Sequence, residues 1–81
     1  MQVRLLLFAQ YRDLAGASEL ALELPAGARA LDAIATLRAK GGGCTSIPER
    51  PVVAINLEYS SLEDALSEGD ELALLPPVAG G

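Results

Sequence analysis

Histidine is missing from this chain altogether, which removes the commonest general base and the commonest zinc ligand together. One cysteine, Cys44, excludes an internal disulfide and a thiolate cage for a metal. No cation that would lower its pKa stands near it in sequence, so Cys44 reads as an incidental loop thiol. Nucleotide-binding loops are absent too: "KGGG" at Lys40–Gly43 lacks the spacing and the closing Lys-Ser/Thr of a phosphate cradle. The three glycines read instead as a flexible exit from a helix. Tryptophan is absent, and Phe8, Tyr11 and Tyr59 are the only aromatics, so the core must be aliphatic. Cations are scarce, with 6 Lys and Arg against 11 Asp and Glu and a net charge of −5. That sign opposes binding to nucleic-acid phosphates and to anionic membranes. No apolar run approaches the roughly 20 residues of a membrane span. "VRLLLF" at the start has neither the apolar length nor the small-residue cleavage site of a signal peptide. A cytoplasmic protein with no nucleic-acid and no membrane partner is expected.

What is present points to one folded domain. The 81 residues leave no room for a second core, and a chain that is 51% apolar and 21% charged is globular in composition. Val3–Phe8 is a short, nearly continuous apolar run, expected to be a strand buried on both faces. Ala9–Gly16 fits one or two helical turns closed by glycine. Ser18–Leu24 alternates, with Leu20, Leu22 and Leu24 on one face, as a half-buried strand does. Ala30–Lys40 is rich in helix formers, with Leu31, Ile34, Ala35 and Leu37 on one broad face and no strong N-cap. Cys44–Arg50 reads as loop, Pro51–Leu57 as a third strand, Glu58–Asp70 as a long connection with a turn near Leu62–Ala65, and Asp70–Pro76 as the last strand. Strands with one main helix make this an α+β chain, the helix packed on one face of a mixed sheet.

Two segments invite a chemical reading. "EGDE" (Glu68–Glu71) could hold a cation, but Gly69 is better placed to make a turn, with Asp70 and Glu71 opening a strand on its wet side. The other segment is "PPVAGG". Pro76 and Pro77 fix φ and favour an extended path, so Pro76, Pro77, Val78 and Ala79 form a stiff stem. Gly80 and Gly81 carry no side chain and suit a slot that admits nothing wider. One reading is a frayed end, as chain ends often are. The other is a carboxylate held out on a stiff arm. A carboxylate is a poor electrophile, and this chain has nothing to activate it, so an ATP-using partner would have to.

The chain resembles the small, sulfur-carrying subunits of molybdopterin synthase, a family within the ubiquitin-like β-grasp superfamily. "LLLFAQYRDLAG" (Leu5–Gly16), "AIN" (Ala54–Asn56) and above all "LSEGDELALLPPVAGG" (Leu66–Gly81) carry the likeness. Ala79 departs from the Ser or Thr common in that family, and Leu74 and Leu75 stand where some relatives have aromatics. The resemblance implies a β-grasp domain over residues 1–75, with a sheet of four to five strands, and an extended diglycine tail over 76–81. It also implies a function. An E1-like enzyme would adenylate Gly81 with ATP, and a persulfide enzyme would supply sulfur to make a C-terminal thiocarboxylate. Gly80 would give clearance. The tail would then enter the large subunit and donate sulfur to a pterin precursor, in a heterotetramer of two small and two large subunits. Phe8, Tyr59 and Leu75 would form the apolar patch that docks partners, although core positions are an equal reading for Phe8 and Leu75. The chain itself would bind no metal and no cofactor. A carrier for thiamine synthesis or tRNA thiolation, and a docking domain with an inert tail, are the alternatives.

Overall fold

The structure is a computed structural model and describes residues 1–77; Val78, Ala79, Gly80 and Gly81 lie outside the described residues. The strands β1 (Gln2–Leu7), β2 (Glu19–Glu23), β3 (Val52–Ile55), β4 (Glu58–Ser60) and β5 (Glu71–Leu75) form one sheet in the order β2-β1-β5-β3-β4. β1 and β5 run parallel at its centre, and every other pairing is antiparallel. Helix α2 (Ala30–Arg38) is the main helix, and α1 (Ala9–Ala15) links β1 to β2. The α+β expectation holds.

The core lies between α2 and one face of the sheet. Val3, Leu5 and Leu7 of β1, Leu22 of β2, Val53 of β3 and Leu72 and Leu74 of β5 are buried there with Ala30, Ala33, Ile34 and Leu37 of α2. The expectation that β1 is buried on both faces is corrected: Gln2 and Arg4 are exposed and Leu6 is half-buried. With helices on only one side, the other face of a central strand stays open, whatever its sequence. The buried seam of α2 is also offset from the expected one. Ile34 and Leu37 are buried, but Ala35 is exposed and Leu31 lies at the margin, while Ala30 and Ala33 face the core.

The start of α2 has partners that its own sequence does not show. The N–H groups of Ala30 and Leu31 donate to the carbonyls of Asp64 (3.0 Å) and Leu62 (2.9 Å), and the N–H of Leu66 donates to Ala28 (2.8 Å). A strap from 62 to 66 thus satisfies donors that every helix start leaves open. The Asp32 carboxylate accepts from the N–H of Arg29 at 2.8 Å, the reciprocal half of a capping box.

Two further expectations are corrected. Gly42–Ser46 forms a 3-10 helix where a glycine helix exit and the start of a loop at Cys44 were expected, and Cys44 within it is buried. The third strand ends at Ile55, two residues early. Asn56 and Leu57 turn with φ of 51° and 72°, and β4 returns within the expected connection. Paired positive φ values are the signature of a two-residue hairpin turn. Asn56 is well suited to that bend. Its side chain donates to Asp70 (2.9 Å) and accepts from the N–H of Glu71 (3.0 Å), while its own N–H donates to the Glu71 carbonyl (2.8 Å). Asn56→Ala forfeits both side-chain bonds and places a Cβ-bearing aliphatic residue in the left-handed region. A loss of about 2 kcal/mol is expected in urea unfolding. Asn56→Gly relieves the backbone term and should lose about half as much.

Candidate functional site

The open face of the sheet has a polarity along the strands. At one end Arg4 pairs with Glu71 and lies 3.9 Å from Glu19. One step along, the register sets Leu6 beside Ala73, Ala73 beside Ala54 and Ala54 beside Tyr59. A further step brings Leu75 beside Val52. Phe8 is extended (φ −124°, ψ 156°) and follows β1 directly after the Leu7–Leu74 pair. The face is therefore charged at the end remote from the tail and apolar where the tail leaves.

Of the three residues singled out from sequence, Tyr59 and Leu75 border one groove on the open face, and Phe8 directly follows β1. Phe8 is 46% exposed and Tyr59 82%, and Leu75 is half-buried. The equal reading of Phe8 as core is corrected by its exposure. Val52, 55% exposed, completes the patch and was not singled out. The signal was there: in "PVVAIN" the buried Val53 and the partly buried Ile55 keep one phase, so Val52 and Ala54 must face the other way. Exposed apolar side chains that adjoin one another mark a contact surface more strongly than isolated ones.

Pro76 and Pro77, the described part of the stem, rise between two hollows. On the sheet face they border an open groove of about 320 Å³ with Val52, Tyr59 and Leu75. Behind them, Pro77 borders a second hollow of about 190 Å³ whose walls include Tyr11, Pro48, Arg50 and Pro51. Tyr11 is fully buried and anchors α1 there. A third hollow of about 140 Å³, lined by Leu31, Ile34, Arg38 and Glu49, lies on the helix side, away from the stem. The tail positions Val78, Ala79, Gly80 and Gly81 lie outside the described residues.

The charged groups are used structurally. Asp70 accepts from the N–H of Ser67 at 2.7 Å across the turn at Gly69 (φ 81°), as the sequence reading of "EGDE" expects. Glu63 accepts from Arg50 (3.0 Å) and from the Ser61 hydroxyl (2.9 Å), and these two bonds hold its carboxyl below the usual carboxylate range. Among the described residues, no three His, Cys, Asp or Glu side chains gather as metal ligands would, and no helix is long and apolar enough to cross a membrane.

Comparison with known proteins gives a consistent picture. A profile described as the ThiS family matches residues 5–81. The chain is 40% identical over 83 aligned positions to the molybdopterin synthase sulfur carrier subunit of Chlamydomonas reinhardtii, covering all of both chains. Among solved structures, SAMP1 from Haloferax volcanii superposes with a TM-score of 0.86 at 29% identity, again over the whole of both chains. A chain from the complex of subunits 1 and 2 of the molybdopterin-converting factor from Helicobacter pylori gives a TM-score of 0.70 at 23% identity over the whole of both chains, a likeness of fold. The ubiquitin-like β-grasp architecture expected from sequence is the one observed.

Proposed function

The chain belongs to the ThiS family, and from that premise we propose that it carries sulfur for molybdenum cofactor synthesis, as the small subunit of a molybdopterin synthase. The observation that carries the reading is the end-to-end identity of 40% to a sulfur carrier subunit.

The chemistry follows from what the chain lacks and what it offers. The Gly81 α-carboxylate attacks the α-phosphorus of ATP in the site of an E1-like enzyme, and pyrophosphate leaves. The acyl-adenylate carbon is then an electrophile. A persulfide sulfur from a donor enzyme displaces AMP, and a thiol cleaves the resulting acyl disulfide to leave the thiocarboxylate. In the large subunit that sulfur is transferred to the pterin precursor, and water restores the carboxylate. Gly80 and Gly81 keep the tip narrow. Pro76, Pro77, Val78 and Ala79 set its reach, which at about 3.3 Å per extended residue is roughly 20 Å from Leu75. Phe8, Val52, Tyr59 and Leu75 dock the partner around the stem. This division of labour is supported by the placement of the apolar end of the open face at the root of the tail. ATP is the partner's cofactor. A heterotetramer with two large subunits and a cytoplasmic setting, where a free thiol such as Cys44 stays reduced, belong to the same reading.

The test is direct. The chain is incubated with the adenylating enzyme, ATP, a persulfide donor and a thiol, and its intact mass is measured. One oxygen should be replaced by one sulfur, with fragmentation placing it on Gly81. Adding the large subunit with the pterin precursor should return the original mass. An unchanged mass after the first incubation overturns the proposal.

A further inference from the structure

The hollow behind the stem differs from the groove in front of it in one respect: it holds a charge. Arg50 is the one cation among the described residues lining either hollow, and the other residues around it, Tyr11, Pro48, Pro51, Val52, Leu75 and Pro77, carry no charge. The remaining cations stand elsewhere. Arg4 is engaged at the far end of the open face, Arg12 lies 3.7 Å from Asp13 on α1, and Arg29, Arg38 and Lys40 belong to α2 and its ends.

Arg50 stands directly before Pro51 in "PERP", at a bend of the chain. Among the described residues the guanidinium has one charged partner, Glu63 at 3.0 Å, with side-chain exposures of 59% and 52%. An ion pair this exposed adds little to stability, and a competing carboxylate can replace Glu63 at little cost. Arginine with an apolar floor and an open fork is the side chain best suited to capture a carboxylate across an interface.

We propose that the hollow lined by Tyr11, Pro48, Arg50, Pro51 and Pro77 is a second docking surface, which receives a carboxylate of the enzyme that adenylates Gly81. It adjoins the apolar patch through Val52 and Leu75, which border both hollows, so one partner can grip the stem from both sides. The inference rests on the carrier reading. The adenylating enzyme is the fitting occupant because rim charges govern encounter rate and register more than residence. A carrier must reach its activating enzyme and leave it in every cycle, which suits a contact that speeds encounter without prolonging residence. In a chain of net charge −5, one cation at the tail root marks a register that bulk attraction to a basic surface cannot supply.

The experiment measures ATP–pyrophosphate exchange by the adenylating enzyme as a function of carrier concentration and of salt. Arg50→Glu should raise the KM for the carrier about tenfold with kcat retained, and should flatten its dependence on salt. Arg50→Ala should raise it about threefold. Lys40→Glu makes the same change in net charge at an exposed site at the end of α2 and should stay within about twofold of the parent. Circular dichroism checks that each variant is folded, and Arg50→Ala serves if Arg50→Glu is not. An Arg50 variant with the parent's KM and salt profile overturns the second surface while leaving the carrier reading intact. So does an equal rise in Lys40→Glu, which would make the effect one of bulk charge. A parent chain that supports no exchange overturns the carrier reading, and this inference with it.

Discussion

A chain with one residue added after Gly81 is expected to melt with the parent and to accept no sulfur. In the proposed cycle the only reacting group of this protein is the Gly81 carboxylate: its oxygen attacks ATP, and its carbon then accepts sulfur. Extension turns that carboxylate into a peptide amide, which has no anionic oxygen to attack ATP. The new terminal carboxylate sits about 3.5 Å further on, beyond the position the activating site is built to meet. A misplacement of about 1 Å already costs on the order of 100-fold in a positioned reaction. A fall of at least about 1,000-fold in adenylation is therefore expected, which in practice is complete loss. The fold should not notice. All the buried apolar residues of the described chain lie between Val3 and Leu74, so the change in stability should stay within about 0.5 kcal/mol. Gly80→Val is the complementary variant: it leaves the carboxylate in place but widens the tip, and should likewise fold and fail to react. Intact-mass analysis after incubation with the activating enzyme, ATP and the sulfur donor reads both variants. An extended chain that exchanges oxygen for sulfur would sink the mechanism.

Much of this architecture was legible because the strong signals are local. Leu20, Leu22 and Leu24 alternate with polar residues, and β2 forms there; Leu22 and Leu24 are buried and Leu20 is partly so. Gly69 turns with positive φ, and β5 follows it. The misreadings share one cause, which is that tertiary context decided them. β1 reads as buried on both faces because Leu6 and Phe8 are apolar, yet Leu6 is only half-buried and Phe8 is exposed. β4 holds one apolar residue, the exposed Tyr59, so nothing in "EYS" announces a strand until Asn56 reverses the chain and β3 supplies the ladder. The offset of α2 depends on the strap at 62–66, which is some 30 residues away in sequence and invisible to helical periodicity.

The site divides the same way. Tyr59 in a polar stretch was readable as an exposed aromatic, and the stem as two prolines. Val52 was readable from its phase, once β3 is recognised. The hollow around Arg50 was not, because Tyr11, Pro48 and Pro77 come from three distant parts of the sequence and meet only in the folded chain. The glycine run was read as freedom where the structure uses one of its members for closeness. Gly41 and Gly42 do take positive φ, at 84° and 56°, but Gly43 has no such need.

Gly43 is where a single methyl group should do the most damage to stability. A Cβ built there would fall 2.1 Å from the carbonyl oxygen of Leu14 and 2.9 Å from its carbon, and both are backbone atoms that cannot swing aside. The 3-10 helix and α1 must separate to admit it. α1 spans only 7 residues, too few to persist alone, so its order depends on this contact and on buried Tyr11. Overpacking usually costs about 1–3 kcal/mol, and a clash with backbone belongs at the upper end. Gly43→Ala should therefore lose about 3 kcal/mol, which for a domain of this size is a fall in Tm of roughly 15 °C. Gly42→Ala is the control. It meets nothing within 4 Å and pays only for its positive φ, so about 1 kcal/mol is expected. Thermal unfolding of the two variants side by side decides the matter, and equal losses would mean that the glycines serve the turn alone. The functional consequence follows from position. Phe8 immediately precedes α1 and Tyr11 lies within it, so loosening α1 blurs both the apolar patch and the hollow behind the stem. Well below its Tm, Gly43→Ala should show a raised KM for the activating enzyme with Gly81 chemistry unimpaired at saturation. That pattern separates a brace for the docking surface from a residue needed only for folding.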